Sequence, residues 1–455
     1  MLNDTIVAIA TSLIDSSIGV IRISGDKAKA ILSQIFLSKS GKRIEEYHPR
    51  QMMYGHIIEN SDTLDEVLAV YMKGPLTYTA EDIVEIHCHG GYVPLQRVLD
   101  YIVRSGARIA NPGEFTQRAF LNGRLDLSQA EAVMDIVKAK TDTSFDMAYK
   151  QLEGYVSKKV NKIRYSLMEI MSVIEVNIDY PDEDIEEITY KEIIDNLNSN
   201  IESVEHMIFN SKSAKVIREG VKIAIIGKPN VGKSSLLNVL LNDSRAIVTD
   251  IPGTTRDIIE EHLSIKGIPI RLIDTAGIRE TTDVVEKMGV DRSIEALKSA
   301  DFVIAVFDVT QESDEFDRKI YDSILSKNYV VFMNKSDLTE LNLSTLNFSP
   351  EKIVVGSAKE EKNIRNLENK IHDMIIDKQF QLEESEYVTN SRHIDALNNA
   401  LLHLQNALKA AKDNMPLEFV VFDINLGYEN LGKIVGETVD ENLMNEIFSK
   451  FCLGK

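Results

Sequence analysis

The spacing of apolar residues changes character along the chain, and each change predicts a different kind of element. Up to residue 120, short β-rich runs alternate with polar breaks: Ile6 to Ala10, Val20-Ile21-Arg22-Ile23, Leu68 to Met72 and Ile83 to Cys88. One helical pattern, Tyr92 to Arg104, lies among them, so residues 1–120 are expected to form an α+β domain. From Leu125 the period lengthens. Ser128 and Glu131 have the spacing of a capping box, and Val133, Met134 and Val137 follow at helical intervals. Val156, Val160, Ile163, Leu167, Ile170, Met171 and Ile174 predict a long amphipathic helix, and Ile193, Ile194, Leu197, Ile201, Val204 and Ile208 predict another. Between them Asp179-Tyr180-Pro181-Asp182-Glu183-Asp184 reads as a solvated turn.

Over residues 220–378 apolar strand-like runs alternate with helices: Val221 to Ile226, Ile268 to Ile273, Phe302 to Phe307, Tyr329 to Met333 and Ile353 to Val355. That alternation predicts a doubly wound α/β sheet. The helical period then returns at Ile394, Leu397, Leu401, Leu404 and Leu408, and again at Leu443, Ile447 and Phe448 behind a Thr438/Glu441 capping pattern. Short helices need tertiary burial to persist, so the two helical stretches are expected to rejoin around the α/β insert. The expected fold is multidomain α+β and α/β. It comprises an N-terminal α+β domain (1–120), an α-helical domain in two parts (121–219 and 379–455), and an inserted doubly wound P-loop domain (220–378).

At 455 residues the chain exceeds what one hydrophobic core supports, in keeping with roughly two to four domains. No apolar run approaches the ~18 residues of a membrane span, and the start lacks the features of a secretory signal, so a cytoplasmic protein without membrane partners is expected. Only Cys88 and Cys452 are present, too few for a disulfide framework. Adjacent residues of a strand point to opposite faces, so His87-Cys88-His89 does not predict a transition metal. The formal charge of -20 opposes autonomous attraction to nucleic acid, so any RNA contact needs a local patch or a partner.

The chemistry concentrates in the α/β segment. Gly227-Lys228-Pro229-Asn230-Val231-Gly232-Lys233-Ser234 follows a strand and opens a helix at Ser235, the context of a phosphate-binding P-loop. Its glycines let backbone N–H groups close around phosphates, Lys233 neutralises their charge, and the Ser234 hydroxyl is placed to ligate Mg²⁺. Asn334-Lys335-Ser336-Asp337 follows the predicted strand Tyr329 to Met333. A carboxylate at 337 accepts from both N–H groups of a guanine edge, a pair that adenine lacks. Ser357-Ala358-Lys359 has the form of a loop presenting a backbone N–H to the guanine carbonyl. Asp274-Thr275-Ala276-Gly277 supplies a carboxylate to the Mg²⁺ shell and a glycine N–H to the γ-phosphate. Thr255, in Gly253-Thr254-Thr255-Arg256-Asp257, is the candidate second hydroxyl for Mg²⁺. Ile278 stands where Ras-like proteins place a water-orienting glutamine, so that task falls to another group. Asn230 can offer an amide oxygen to a monovalent cation beside the phosphates. Together these motifs predict a GTP-hydrolysing enzyme.

Across essentially its whole length the chain resembles the MnmE (TrmE) family of tRNA-modification GTPases. The resemblance is carried by Asp4-Thr5-Ile6-Val7-Ala8, Gly19-Val20-Ile21-Arg22-Ile23-Ser24-Gly25, Asn111-Pro112-Gly113-Glu114-Phe115, Arg118-Ala119-Phe120-Leu121-Asn122-Gly123, the GTPase motifs and the closing Phe451-Cys452-Leu453-Gly454-Lys455. It implies an N-terminal folate-binding domain that dimerises, and a G domain whose activity rises when two copies meet across K⁺. It places Thr249, Asp250, Ile251, Pro252, Gly253 and Thr254 with Thr255 around the nucleotide, and Asn230, Thr249, Ile251 and Thr254 around K⁺. Glu286 falls where the family has a water-orienting acid. Arg22, Glu85, Arg124 and Lys455 match positions lining a site for 5-formyl- or 5,10-methylene-tetrahydrofolate. The tail has Leu453 where the family typically has isoleucine, and position 124 is arginine where some members have lysine, a fork in place of a point charge. The family further implies a homodimer working with the FAD protein MnmG, in a heterotetramer or larger complex, to add an aminomethyl or carboxymethylaminomethyl group at C5 of the wobble uridine, position 34, of certain tRNAs. The alternative is an Era-like GTP-controlled switch in RNA or ribosome assembly. The absence of a G-x-x-G clamp and the negative charge count against it.

Overall fold

A computed structural model describes residues 4–179, 189–243, 261–273, 297–312, 314–339, 348–376, 388–452 and 454. The acidic turn expected at 180–184 therefore lies outside the described residues. The chain divides into two compact units. One comprises residues 1–134, 151–164 and 431–455, and the other 135–150 and 165–430.

In the first unit the described elements begin with β1 (Ile6–Ile9), β2 (Ile18–Ser24), α1 (Ala28–Ile35), β3 (Phe36–Ser38), β4 (Met52–Glu59), β5 (Asp62–Met72), β6 (Ile83–His89), α2 (Tyr92–Arg104), β7 (Arg108–Ile109) and α3 (Glu114–Leu121). The strands form a seven-stranded sheet in the order β3-β4-β5-β6-β2-β1-β7, antiparallel except where β7 joins β1. Side chains alternate across a strand, so one face collects Ile21, Ile23, Val84, Ile86 and Cys88. Ile31 and Leu32 of α1 and Leu95 and Val98 of α2 bury that face. The opposite face keeps Arg22 and Glu85, which stand in register on neighbouring strands. α3 is tied to the chain start through Arg118, which is 1% exposed and reaches Asp4, Glu81 and Glu114.

α4 (Leu127–Lys138), α5 (Asp142–Leu152), α6 (Tyr155–Asp179) and α7 (Tyr190–Glu219) follow. The cap of α4 is not the expected Ser128/Glu131 pair. Asp126 accepts from the Gln129 N–H at 2.9 Å while the Gln129 side chain accepts from the Asp126 N–H at 3.0 Å, and Ser128 sits inside the first turn with its hydroxyl on Asp126. A carboxylate two residues upstream outcompetes the hydroxyl for the exposed helix N–H groups.

The second sheet holds β8 (Val221–Ile226), β9 (Glu261–Ile265), β10 (Ile268–Ile273), β11 (Phe302–Asp308), β12 (Asn328–Asn334) and β13 (Ile353–Val355) in the order β13-β12-β11-β8-β10-β9. All pairs are parallel except β9 with β10, whose two-residue turn puts Lys266 and Gly267 at φ 49° and 85°. α8 (Lys233–Asp243), α9 (Glu315–Ile324) and α10 (Ile364–Ile375) accompany it. Ile223 and Ile225 pack into one core while Ala224 and Ile226 pack into another, which is why these strands read as unbroken apolar runs.

The chain closes with α11 (Ser391–Lys412), α12 (Leu417–Val435) and α13 (Glu441–Ser449). α13 is capped by Asp440, which accepts from the Leu443 N–H at 2.8 Å, rather than by the expected Thr438. α11 lies along α7. Its buried stripe includes Ala396, Ala400, Ala407, Ala410 and Ala411, small residues that let two helices approach closely. At the end of α7, Arg218 donates to Asp135 at 2.9 Å and to the Thr389 carbonyl at 3.3 Å, joining the two chain segments that flank the α/β sheet. Among the described residues no helix is long and apolar enough to cross a membrane.

Candidate functional site

β8 ends at Ile226 and α8 starts at Lys233, so residues 227–232 must turn the chain over the carboxyl edge of the sheet. Asn230 at φ 63° and Gly232 at φ 99° make that turn. A Cβ at Gly232 would stand 2.2 Å from Asn334 Nδ2, and one at Gly227 would stand 2.4 Å from the Val306 carbonyl oxygen, so both positions need glycine for space. Val231, 2% exposed, plugs the loop into the core. The loop leads into the N-terminus of α8, where free N–H groups and the helix dipole favour an anion. Lys233 donates from Nζ to the carbonyls of Gly227 at 2.9 Å and Lys228 at 2.7 Å, and burial pulls its pKa down to about 8. Ser234 follows it half-buried, and Ser235 is exposed. The fit to a phosphate group is good: a glycine cradle, a helix N-terminus and a desolvated ammonium converge. The Ser234 hydroxyl is the hard oxygen donor that Mg²⁺ prefers.

Asn334, the last residue of β12, joins this loop to the next. Its Nδ2 donates to the Val231 carbonyl and its Oδ1 accepts from the Ala358 N–H, each at 2.8 Å. One buried amide thus fixes the P-loop against Ser357-Ala358-Lys359. Lys335, at φ 66°, turns its ammonium back to Asp308 Oδ2 at 2.6 Å. Asp337 is exposed, and the Ser357 hydroxyl, helped by Lys359 and Lys362, holds its carboxyl below the usual range, so it presents acceptors only. The described motif residues are therefore gathered at the carboxyl ends of β8, β12 and β13. The expected positions 249–255, 274–278, 286 and 455 lie outside the described residues, Thr255, Asp274, Glu286 and Lys455 among them.

A second constellation lies in the first unit. Arg22 reaches Glu85 at 2.8 Å, and its guanidinium is 5.9 Å from the ring centroids of Tyr78 and Phe115. Arg124 lies 4.8 Å over Tyr78 and donates to the Tyr78 carbonyl at 3.0 Å. Two of the four expected folate residues, Arg22 and Arg124, thus stand against one aromatic ring that the sequence did not single out, and a third, Glu85, pairs with Arg22. A lone tyrosine between Thr77 and Thr79 carries no pattern, and only the tertiary fold gives it two guanidinium neighbours. The cluster fits a flat heteroaromatic acid, since it offers a ring face, a carboxylate and two guanidinium forks. Cys452 is exposed, and its carbonyl accepts from the Gly113 N–H at 3.4 Å. Cys88 is a core thiol pushed up to about 12, by burial first and the Asp65 charge second, which leaves it protonated and unreactive.

Comparison with known proteins decides the family. The sequence profile described as MnmE helical domain matches residues 127–452, and that described as GTP-binding protein TrmE N-terminus matches residues 5–124. The chain belongs to the MnmE family of tRNA modification GTPases. MnmE proteins of Alkaliphilus metalliredigens and Clostridioides difficile are each 47% identical to it, and that of Alkaliphilus oremlandii is 48% identical, every alignment covering 100% of both chains. Among solved structures, a variant of Aquifex aeolicus Era bound to GDP and aluminium fluoride shares 28% identity, covering 40% of this chain and 66% of its own. Its TM-score is 0.27, too low for the likeness to carry weight.

Proposed function

We propose that this MnmE-family chain hydrolyses GTP to GDP and phosphate at the carboxyl ends of β8, β12 and β13, in the service of tRNA modification. Asn334 carries the proposal. Its amide holds the phosphate loop and the base loop at one fixed separation, which is what a ligand with a phosphate tail and a purine head requires. Val231, Gly232, Lys233, Ser234 and Ser235 would receive the phosphates, with Lys233 countering the charge that grows on them as the bond to the leaving phosphate breaks. Asp337 would accept from the guanine edge, and Ala358, flanked by Ser357 and Lys359, would donate its N–H to the guanine carbonyl. Ser234 with Thr255 would hold Mg²⁺, which would neutralise charge at the phosphate oxygens. Asn230, with Thr249, Ile251 and Thr254, would hold K⁺, and Glu286 would orient water.

At the finer level, residues 1–120 would be the folate-binding and dimerisation domain, 220–378 the G domain, and 121–219 with 379–455 the helical domain. Arg22, Glu85, Arg124 and Lys455 would hold tetrahydrofolate against Tyr78. The working form would be a cytoplasmic homodimer that joins MnmG to modify the wobble uridine of certain tRNAs, with hydrolysis driving conformational change. The test of the cation is hydrolysis at matched ionic strength, expected to be fast in KCl and slow in NaCl; equal rates would remove K⁺ from the mechanism. The test of the role is nucleoside analysis of tRNA from cells lacking the protein, where unchanged wobble uridines would overturn it.

A further inference from the structure

The P-loop carries a second lysine whose side chain turns away from Lys233. Lys228 Nζ lies 2.6 Å from Asp314 Oδ1 and 2.5 Å from Asp317 Oδ2, with 12% of its side chain exposed. Those carboxylates are already engaged with the start of α9. Asp314 accepts from the N–H groups of Phe316 and Asp317, and Asp317 accepts from the Asp314 N–H, a reciprocal cap. The main chain of Lys228 serves a different partner, because its carbonyl is one of the two that hold the Lys233 ammonium. One residue therefore grips α9 by its side chain and the phosphate lysine by its backbone.

We propose that Lys228 is a positioning residue for the nucleotide: clamped by Asp314 and Asp317, it fixes the backbone turn that presents Lys233 and the P-loop N–H groups, without touching the phosphates itself. The inference rests on the P-loop being the GTP site. The turn holds Asn230 in left-handed backbone at φ 63°, a conformation that costs a non-glycine residue free energy unless its surroundings fix it. Tethering to a capped helix does that. Direct phosphate contact would oblige Lys228 to abandon two carboxylates, one of them on a residue only 7% exposed, and a buried charge left unpaired is costly.

The two roles differ in sign at the aspartates. If the charges act only through space, neutralising Asp317 removes repulsion and tightens binding of a nucleoside diphosphate. If Asp317 acts through Lys228, neutralising it loosens binding. The experiment uses the full chain and measures GDP affinity by titration with a fluorescent GDP, together with steady-state kcat and KM for GTP. The variants are Lys228→Met, Lys228→Arg, Asp317→Asn and the double variant Lys228→Met/Asp317→Asn. Lys228→Met is expected to raise Kd and KM about tenfold with kcat within about twofold, the pattern of lost positioning rather than lost chemistry. Lys228→Arg should recover most of the affinity, Asp317→Asn should weaken it, and the double variant should be no worse than Lys228→Met alone. Tighter GDP binding in Asp317→Asn, additive losses in the double variant, or wild-type affinity in Lys228→Met would each overturn the proposal. Failure of the underlying site reading is separable: the unmodified chain would then bind no GDP, or Lys233→Ala would bind it unchanged.

Discussion

Arg118 keeps a full charge at 1% exposure because carboxylates surround it: Asp4 at 2.7 Å, Glu114 at 3.0 Å and Glu81 at 3.2 Å. Removing the guanidinium takes one arginine from the buried Glu114 and leaves it Arg108 and the Asn111 N–H, so Arg118→Met should cost about 1.5–3 kcal/mol in urea unfolding. Acid should act on the same cluster. Burial pushes the Glu114 carboxyl up, but Arg108, the Asn111 N–H and Arg118 together hold it below its ordinary value. Arg108, and then Arg118 against a burial penalty, do the same for Asp4. A carboxyl lowered in the folded state stabilises above its unfolded pKa and loses that contribution as pH falls through the folded one. Denaturation midpoints should therefore drop below about pH 4, and less steeply in Glu114→Gln. At the proposed nucleotide site Asp337 would decide the base. Replacing it with asparagine exchanges an acceptor for a donor, so Asp337→Asn should lose GTP by on the order of a hundredfold or more and accept xanthosine triphosphate, whose base has a carbonyl in place of the guanine amine, as competition binding would reveal. Lys233 is legible in the sequence because its partners, Gly227 and Lys228, are local, and Asp337 because it closes a short contiguous motif after a strand. Tyr78, and the bridge made by Asn334 between loops 103 and 24 residues away, are not, because no local pattern records a tertiary contact.

Apolar runs were the easiest elements to foresee. β8, β10 and β13 match the predicted runs end to end, because their residues are apolar apart from Lys222 and Arg271. β9 carries no such run in Glu261-His262-Leu263-Ser264-Ile265, where Leu263 and Ile265 are buried on either side of a half-buried serine. The helix starts were misread for a reason that can be tested. Both motifs chosen, at Ser128 and Thr438, have the right spacing, yet in each case a nearby aspartate takes the helix N–H groups. Asp126→Ala should cost about 1–2 kcal/mol of stability, whereas Thr438→Ala should leave the cap of α13 intact. The apolar period of α11 reads as Ile394, Leu397, Leu401, Leu404 and Leu408, while much of its deepest burial belongs to alanines. Hydrophobicity marks which side of a helix is covered, but residue size decides how near the partner comes.

At the scale of the whole chain, the proposed G domain would enter after α7 at Gly220, and Arg218 just before that point donates to the Thr389 carbonyl beyond the second sheet, so the two ends lie within one hydrogen bond of each other. Gly220 suits the entry: it sits at φ 76°, and a Cβ there would stand 2.8 Å from the Pro269 carbonyl oxygen. Residues 220–378, the proposed G domain, expressed alone should fold and bind GDP, with circular dichroism and nucleotide titration as the check. An insert whose ends nearly touch imposes little loop-closure entropy on its host. For the history of such a chain, neighbouring ends mean that a sequence encoding a sheet can enter a helical protein between two adjacent points and leave the host's own packing in place.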